Sequence, residues 1–286
     1  MRIPGIGKSV NGNQNWISLK VVDVQPSEIA KFLLILWASQ LLASRLNAGF
    51  MRVNVLALIA PGFIIASALV MWGRDLGTAS VLMAILGGLL FVSGIPLRLV
   101  GTLSAIAALA IGFLIATTQY RAARWSVFLN PFDPAQYKNE GWQPAHSLLG
   151  LASGGIFGVG LGGSRQKWGN LPEAHTDFML AVLGEEFGFV GISIVIGLSF
   201  LMLACCIKIG HRALKHHYLR AGYLAYGISI IFLLQILVNA GMNMGLMPTK
   251  GLTLPFISYG GTAMVTLGVG IGILMSVNRA KRLLQS

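Results

Sequence analysis

The chain has 286 residues, 55% of them hydrophobic and only 10% charged, and its mean hydropathy of +0.73 excludes a water-soluble domain, since most of it needs lipid as solvent. Its formal charge of +12 does not indicate nucleic acid, because the cations stand in the connections between apolar stretches, where the positive-inside rule governs them. The expected fold class is an all-α polytopic membrane protein.

In chain order, residues 1–28 read as a polar outer loop without the apolar core of a cleavable signal. A chain that starts outside with no span before it is expected to have further helices upstream. Four spans follow in 29–118, namely Ile29–Ser44, Val53–Trp72, Leu76–Ile95 and Leu99–Thr118. Each approaches the ~20 apolar residues that cross a bilayer. Residues 119–177 form a large outer loop carrying NPFDPAQYKNEGWQPAHS, a glycine-rich stretch and SRQKWGNLPEAHTDF. The glycine cluster from Gly150 to Gly163 predicts a short or re-entrant helix, which lipid tolerates only where protein or water covers its backbone. Three spans, Phe178–Ile207, Ala221–Met244 and Thr262–Val277, and a cytoplasmic tail fill 178–286, giving seven in all. Pro26, Gly49, Gly73 and Pro96 mark helix boundaries. Cys205 and Cys206 are adjacent in one span, point apart and read as packing residues.

Seven crossings put the termini on opposite faces. Cations divide evenly between the faces, but most outer ones lie in the N-terminal segment or the long loop, which weigh least, so the short connections predict a cytoplasmic C-terminus.

Ionisable residues near the outer helix ends are the candidates for chemistry. Glu28 and Lys31 share a helix face three residues apart, and they read equally well as a cavity-facing pair and as a structural ion pair. Asp75 reads as a cap of the next span. Glu173, His175 and Asp177 precede a long apolar span, which places Asp177 near the membrane surface on a rigid element. A lone acid there often caps the helix. Arg165, Lys167 and Lys250 shift the balance towards chemistry, because cations beside one acid suit a phosphate-bearing substrate. Pro248–Gly261, PTKGLTLPFISYGG, is a rigid irregular turn that exceeds what a plain connection needs. No metal-ligand spacing is present.

Together these segments resemble the SEDS family (shape, elongation, division and sporulation). The matching runs are VNGNQNWISL at 10–19, QPSEIAK at 25–31, RDLGTA at 74–79, NPFDP at 130–134, GVGLGGSRQKWGNLPEAHTDF at 158–178, GEEFGFVG at 184–191 and PTKGLTLPFISYGG at 248–261. Two of them, PEAHTDF and PTKGLTLP, look more like the division branch than the elongation branch. The resemblance implies a peptidoglycan glycosyltransferase that polymerises lipid II on the outer face of the bacterial cytoplasmic membrane, at the division septum. Family members have ten spans, so this chain matches the last seven. Asp177 matches the family's essential acid. Glu173, His175, Arg165, Lys167, Lys250 and Ser258 are then expected on the substrate, with Glu28, Lys31, Glu185 and Glu186 lining or bracing the cavity. No cofactor is required, although a divalent cation could share the work of the basic residues. The implied partners are a class B penicillin-binding transpeptidase and other divisome membrane proteins. A flippase for lipid-linked precursors and a division scaffold remain as alternatives, the first because buried charges and broken helices also line substrate paths.

Overall fold

The structure is a computed structural model, and it describes residues 7–10, 13–18, 23–47, 52–73, 75–117 and 125–283. The readings of Gly49 and Arg74 fall outside these residues. The chain is mainly helical: α1 (Pro26–Asn47), α2 (Arg52–Trp72), α3 (Leu76–Val92), α4 (Leu97–Ala116), α5 (Trp142–Gly154), α6 (Met179–Lys215), α7 (Leu219–Asn243) and α8 (Gly261–Leu283). A 3-10 turn covers Gln166–Trp168. Among the described residues, four helices are long and apolar enough to cross a membrane, over Pro26–Leu46, Met179–Lys215, Leu219–Asn243 and Gly261–Arg279. The other three expected spans are shorter apolar helices, Leu56–Trp72, Leu76–Val92 and Leu97–Ala110.

The N-terminal segment departs from the expected loop. It forms a three-stranded antiparallel meander, β1 (Gly7–Val10), β2 (Asn13–Ser18) and β3 (Asp23–Val24), with Lys8 opposite Trp16 and Ile17 opposite Val24. Asn11 and Gly12, between β1 and β2, are the dipeptide most typical of two-residue hairpins, so the signal was present in the sequence. Thr262, at the start of α8, ties this meander down: its hydroxyl donates to the Asp23 carbonyl at 3.3 Å and accepts from the Gln25 N–H at 3.3 Å. Pro26 then opens α1, where a missing N–H costs nothing.

The chain divides into two compact units. The first comprises residues 1–107, 203–232 and 261–286. Its core includes Ile35, Leu42, Phe63, Leu82, Ile85, Leu89 and Ile228. The Asp75 carboxylate accepts from the Thr78 N–H at 2.8 Å and the Thr78 hydroxyl at 2.6 Å, so it caps α3 as the sequence predicts. A cavity of about 590 Å³ lies among the ends of α1, α7 and α8, with Arg220, Ser44 and Ser276 in its wall and none of the candidate site residues.

The second unit comprises residues 108–202 and 233–260. Leu171, Ala174, Phe178, Ala181 and Val182 form one of its apolar clusters, and Leu180, Ile192 and Leu254 another. Its organising feature is a break in α6 at Gly188, whose φ of 68° and ψ of −164° no helix accommodates. In an unbroken helix the Glu185 and Glu186 carbonyls would accept from Phe189 and Val190. Here the segment after α5 takes over all four groups: Val159 and Gly160 donate to Glu185 and Glu186, while Phe189 and Val190 donate to Gly155 and Ile156. Freed backbone groups must be satisfied at membrane depth, and this splint satisfies them. The short or re-entrant helix expected over 150–163 thus ends at Gly154, and the chain goes on through turns. Approach is so close that a Cβ on Gly158 would collide with the Glu186 carbonyl.

Candidate active site

Asp177 stands two residues before α6, in a turn where Thr176 N–H and Phe178 N–H both donate to the Glu173 carbonyl at 3.2 Å. Glu173 adopts a left-handed backbone, φ 59°, and its carboxylate accepts from the Thr176 hydroxyl at 2.8 Å. The sequence left open whether Asp177 caps α6. It does not: the Ala181 N–H in the first turn is capped from another helix, by Asn243 Oδ1 at 3.1 Å. Among the described residues, no donor reaches the Asp177 carboxylate, and only its main-chain carbonyl is held, by the Nδ2 groups of Asn239 at 2.9 Å and Asn243 at 3.0 Å. The side chain is therefore released from structural duty.

Its electrostatics follow from that isolation. Burial pushes the Asp177 carboxyl up from 3.8 to about 7, and the negative charge of Glu173 adds to the rise. An acid titrating there can take a proton and return it near neutral pH.

The preceding loop is fastened by a second carboxylate. Glu185, 2% exposed, accepts from the Ser164 hydroxyl at 2.6 Å, the Ser153 hydroxyl at 3.3 Å, and the N–H groups of Arg165 at 3.1 Å and Gln166 at 3.2 Å. It thereby caps the 3-10 turn from α6. Next to it, Glu186 pairs with the Lys167 ammonium. Lys167 thus enters the site with its charge shared, while Arg165 is exposed. Behind this turn, His146 Nδ1 meets Gln166 Oε1 at 2.8 Å and His146 Nε2 meets the Tyr137 hydroxyl at 3.3 Å. Because the amide oxygen can only accept, Nδ1 carries the proton and Nε2 accepts from Tyr137. With Trp142 packed on the His146 ring, 4.0 Å between centroids, this links the NPFDP stretch to the 164–168 turn.

The 248–260 loop closes over Asp177 from the other side. Tyr259 N–H donates to the His175 carbonyl at 2.8 Å, and Asn239 Nδ2 donates to the Leu252 carbonyl at 2.7 Å. A Cβ on Gly251 would lie 3.2 Å from Asp177 Oδ2, so the loop backbone passes against the carboxylate. Lys250 is the residue before it. Ser258 has a structural position: it is buried, and its hydroxyl accepts from the Leu254 N–H at 2.9 Å. His175 is exposed.

The structure thus gathers Glu173, His175, Asp177, Arg165, Lys167, Glu185, Glu186, Lys250 and Ser258 in the second unit. Glu28 and Lys31 belong to the first, where they pair with each other at 2.7 Å, Lys31 fully buried. Among the described residues, no three His, Cys, Asp or Glu side chains are grouped to hold a metal ion. Sequence reasoning passed over Asn239 and Asn243. The signal that could have found them is their spacing, since Gln235, Asn239 and Asn243 recur every four residues on a buried face of an otherwise apolar helix.

The chain matches the family described as cell cycle protein, the group of FtsW, RodA and SpoVE, over residues 1–283. It is 51% identical over 280 residues to the probable peptidoglycan glycosyltransferase FtsW of Acinetobacter baylyi, covering 96% of this chain and 68% of that protein. Similarity to the probable peptidoglycan glycosyltransferase FtsW of Thioalkalivibrio sulfidiphilus is 42% over 280 residues, with 97% and 69% covered. The chain thus spans about two thirds of the length of these curated relatives. Among solved structures it is similar to a chain of a peptidoglycan synthase complex that coordinates polymerization and crosslinking, with a TM-score of 0.76, 28% identity, and 96% of this chain and 76% of that one covered. It is also similar to the rod shape determining protein RodA of Thermus thermophilus, with a TM-score of 0.67, 27% identity, and 96% and 72% covered.

Proposed function

This chain belongs to the cell cycle protein family of FtsW, RodA and SpoVE, and we propose that it is a peptidoglycan glycosyltransferase that polymerises lipid II in septal wall synthesis, with Asp177 as general base. The observation that carries this reading is a carboxylate excused from capping, fixed through its own main chain and titrating near 7. In the reaction the acceptor's 4-hydroxyl attacks the anomeric carbon of the donor. A C–O bond forms as the bond to the undecaprenyl diphosphate breaks, the diphosphate leaves with the electron pair, and Asp177 takes the hydroxyl proton. A glycosidase needs a second carboxyl to protonate its departing alkoxide. A diphosphate leaves as a stable anion, so cations replace that acid. Lys250 and Arg165 are the natural choices, with Lys167 contributing what Glu186 leaves of its charge, or a divalent cation sharing the task.

The three shorter apolar helices are read as spans too, giving seven crossings, a cytoplasmic C-terminus and an outer-facing Asp177 turn at the septal membrane. Lipid tails then stay in the bilayer while their sugars reach the base. A class B penicillin-binding transpeptidase is the proposed partner, because polymerised strands must be cross-linked, and the similar chain of the peptidoglycan synthase complex supports it. Other divisome membrane proteins would join them.

Purified protein in vesicles loaded with labelled lipid II separates this reading from a flippase. Glycan polymer is the expected product. Labelled lipid that changes leaflet without becoming polymer would overturn the assignment. The same assay tests the electrostatics: Glu173→Gln removes a charge that raises the Asp177 titration, so the rising limb of rate against pH moves towards acid. An unmoved limb would show that Glu173 does not act on the base.

A further inference from the structure

We propose that Asn239 is a positioning residue that holds the base and the Lys250-bearing loop in one register, so that proton removal and charge stabilisation act on the same bound donor and acceptor. The inference rests on the reading of Asp177 as the base. Asn239 is fully buried, and its one Nδ2 group donates in two directions, to the Asp177 carbonyl at 2.9 Å and to the Leu252 carbonyl at 2.7 Å. Both protons of the amide are thus committed, one to each functional segment. Asn243, one turn further along α7, also holds the Asp177 carbonyl, at 3.0 Å, but its second Nδ2 contacts return to Asn239, at 2.9 Å to the main-chain oxygen. Asn243 therefore fixes Asp177 to α7, whereas Asn239 fixes Asp177 to the loop. A second bond joins the two segments at the far end of the loop, from Tyr259 N–H to the His175 carbonyl at 2.8 Å. Without Asn239, the Leu252 carbonyl, two residues beyond Lys250, loses the amide that also holds the Asp177 carbonyl.

Displacing catalytic groups by about 1 Å costs on the order of a hundredfold in rate. The test uses two replacements. Asn239→Ser keeps one short donor for two carbonyls, and Asn239→Asp keeps the shape but turns the donor into an acceptor. Polymerisation of lipid II is followed in wild type, both variants, Asp177→Asn and Gln235→Leu. Gln235 lies on the same buried face, and its Oε1 has no hydrogen-bond partner, so its replacement serves as a control for a polar-to-apolar change in α7. We expect kcat to fall about ten- to a hundredfold in the Asn239 variants, KM for lipid II to change less than kcat, and the rising pH limb to leave the region of pH 7 as Asp177 gains water. Gln235→Leu should retain both rate and limb. A wild-type kcat in either folded Asn239 variant overturns the proposal. So does a loss of rate that tracks the loss of folded protein while the pH limb stays fixed. If Asp177→Asn itself retains activity, the base assignment fails instead, which separates the two outcomes.

Discussion

Asp177→Asn is expected to slow lipid II polymerisation by about two to four orders of magnitude, the usual range for loss of a general base, and at the same time to make the protein more stable at neutral pH. The two effects have one cause. No donor among the described residues reaches the carboxylate, so burial raises its titration to about 7 against an ordinary 3.8. Below about pH 4 the group is protonated folded and unfolded, and wild type and variant should be equally stable. Between about pH 4 and 7 the unfolded chain is ionised while the folded one keeps its desolvated acid protonated, so stability falls across that window, and the loss is complete above 7. Above neutrality the Asn variant should lead by an amount on the order of a few kcal/mol. Melting in detergent at acid and alkaline pH reads the difference. A variant that is inactive and also destabilised at pH 8 would mean that Asp177 holds the fold.

Glu185→Ala should have the opposite profile, with stability falling first and activity following. Four donors converge on this buried carboxylate, and a hydrogen bond to a charged group contributes about 1.5–3 kcal/mol. Removing the acceptor leaves Ser164 and the N–H groups of Arg165 and Gln166 without their partner, and a loss of about 3 kcal/mol or more is expected. The 164–168 turn would then loosen, taking Arg165 and Lys167 from their places. Glu185→Gln keeps one acceptor but points an NH₂ group at an N–H, so an intermediate loss is expected. Thermal unfolding together with protease sensitivity at the turn measures both. Unchanged melting in Glu185→Ala would show that the turn is held by the backbone splint alone.

Apolar windows of the sequence locate every long helix among the described residues, because span length is a property of consecutive residues. Their lengths were less legible: the fifth window ends at Ile207, yet α6 runs to Lys215, through a last turn whose cations suit a helix C-terminus. The break at Gly188 was invisible, since it exists only because a segment some thirty residues upstream satisfies the freed groups. Asp177 stood out through its position before a span, but its release from capping depends on Asn243, which lies in another helix. Glu185 reads from the sequence as lining or bracing the cavity, and its four donors, Ser153 of α5 and three groups of the 164–166 turn, come together only in the fold. The meander at the N-terminus was missed for a different reason. Its strands are short and polar, so the Asn11–Gly12 dipeptide is the one hairpin signal in a segment whose composition is that of a loop.

The most direct measurement of the central claim is the rate of lipid II polymerisation by the wild-type protein between pH 5 and 9 under single-turnover conditions. A limb that rises with unit slope and is centred near pH 7 is the result expected of a desolvated Asp177 acting as base. A rate independent of pH across that range, or the same limb retained in Asp177→Asn, would contradict it.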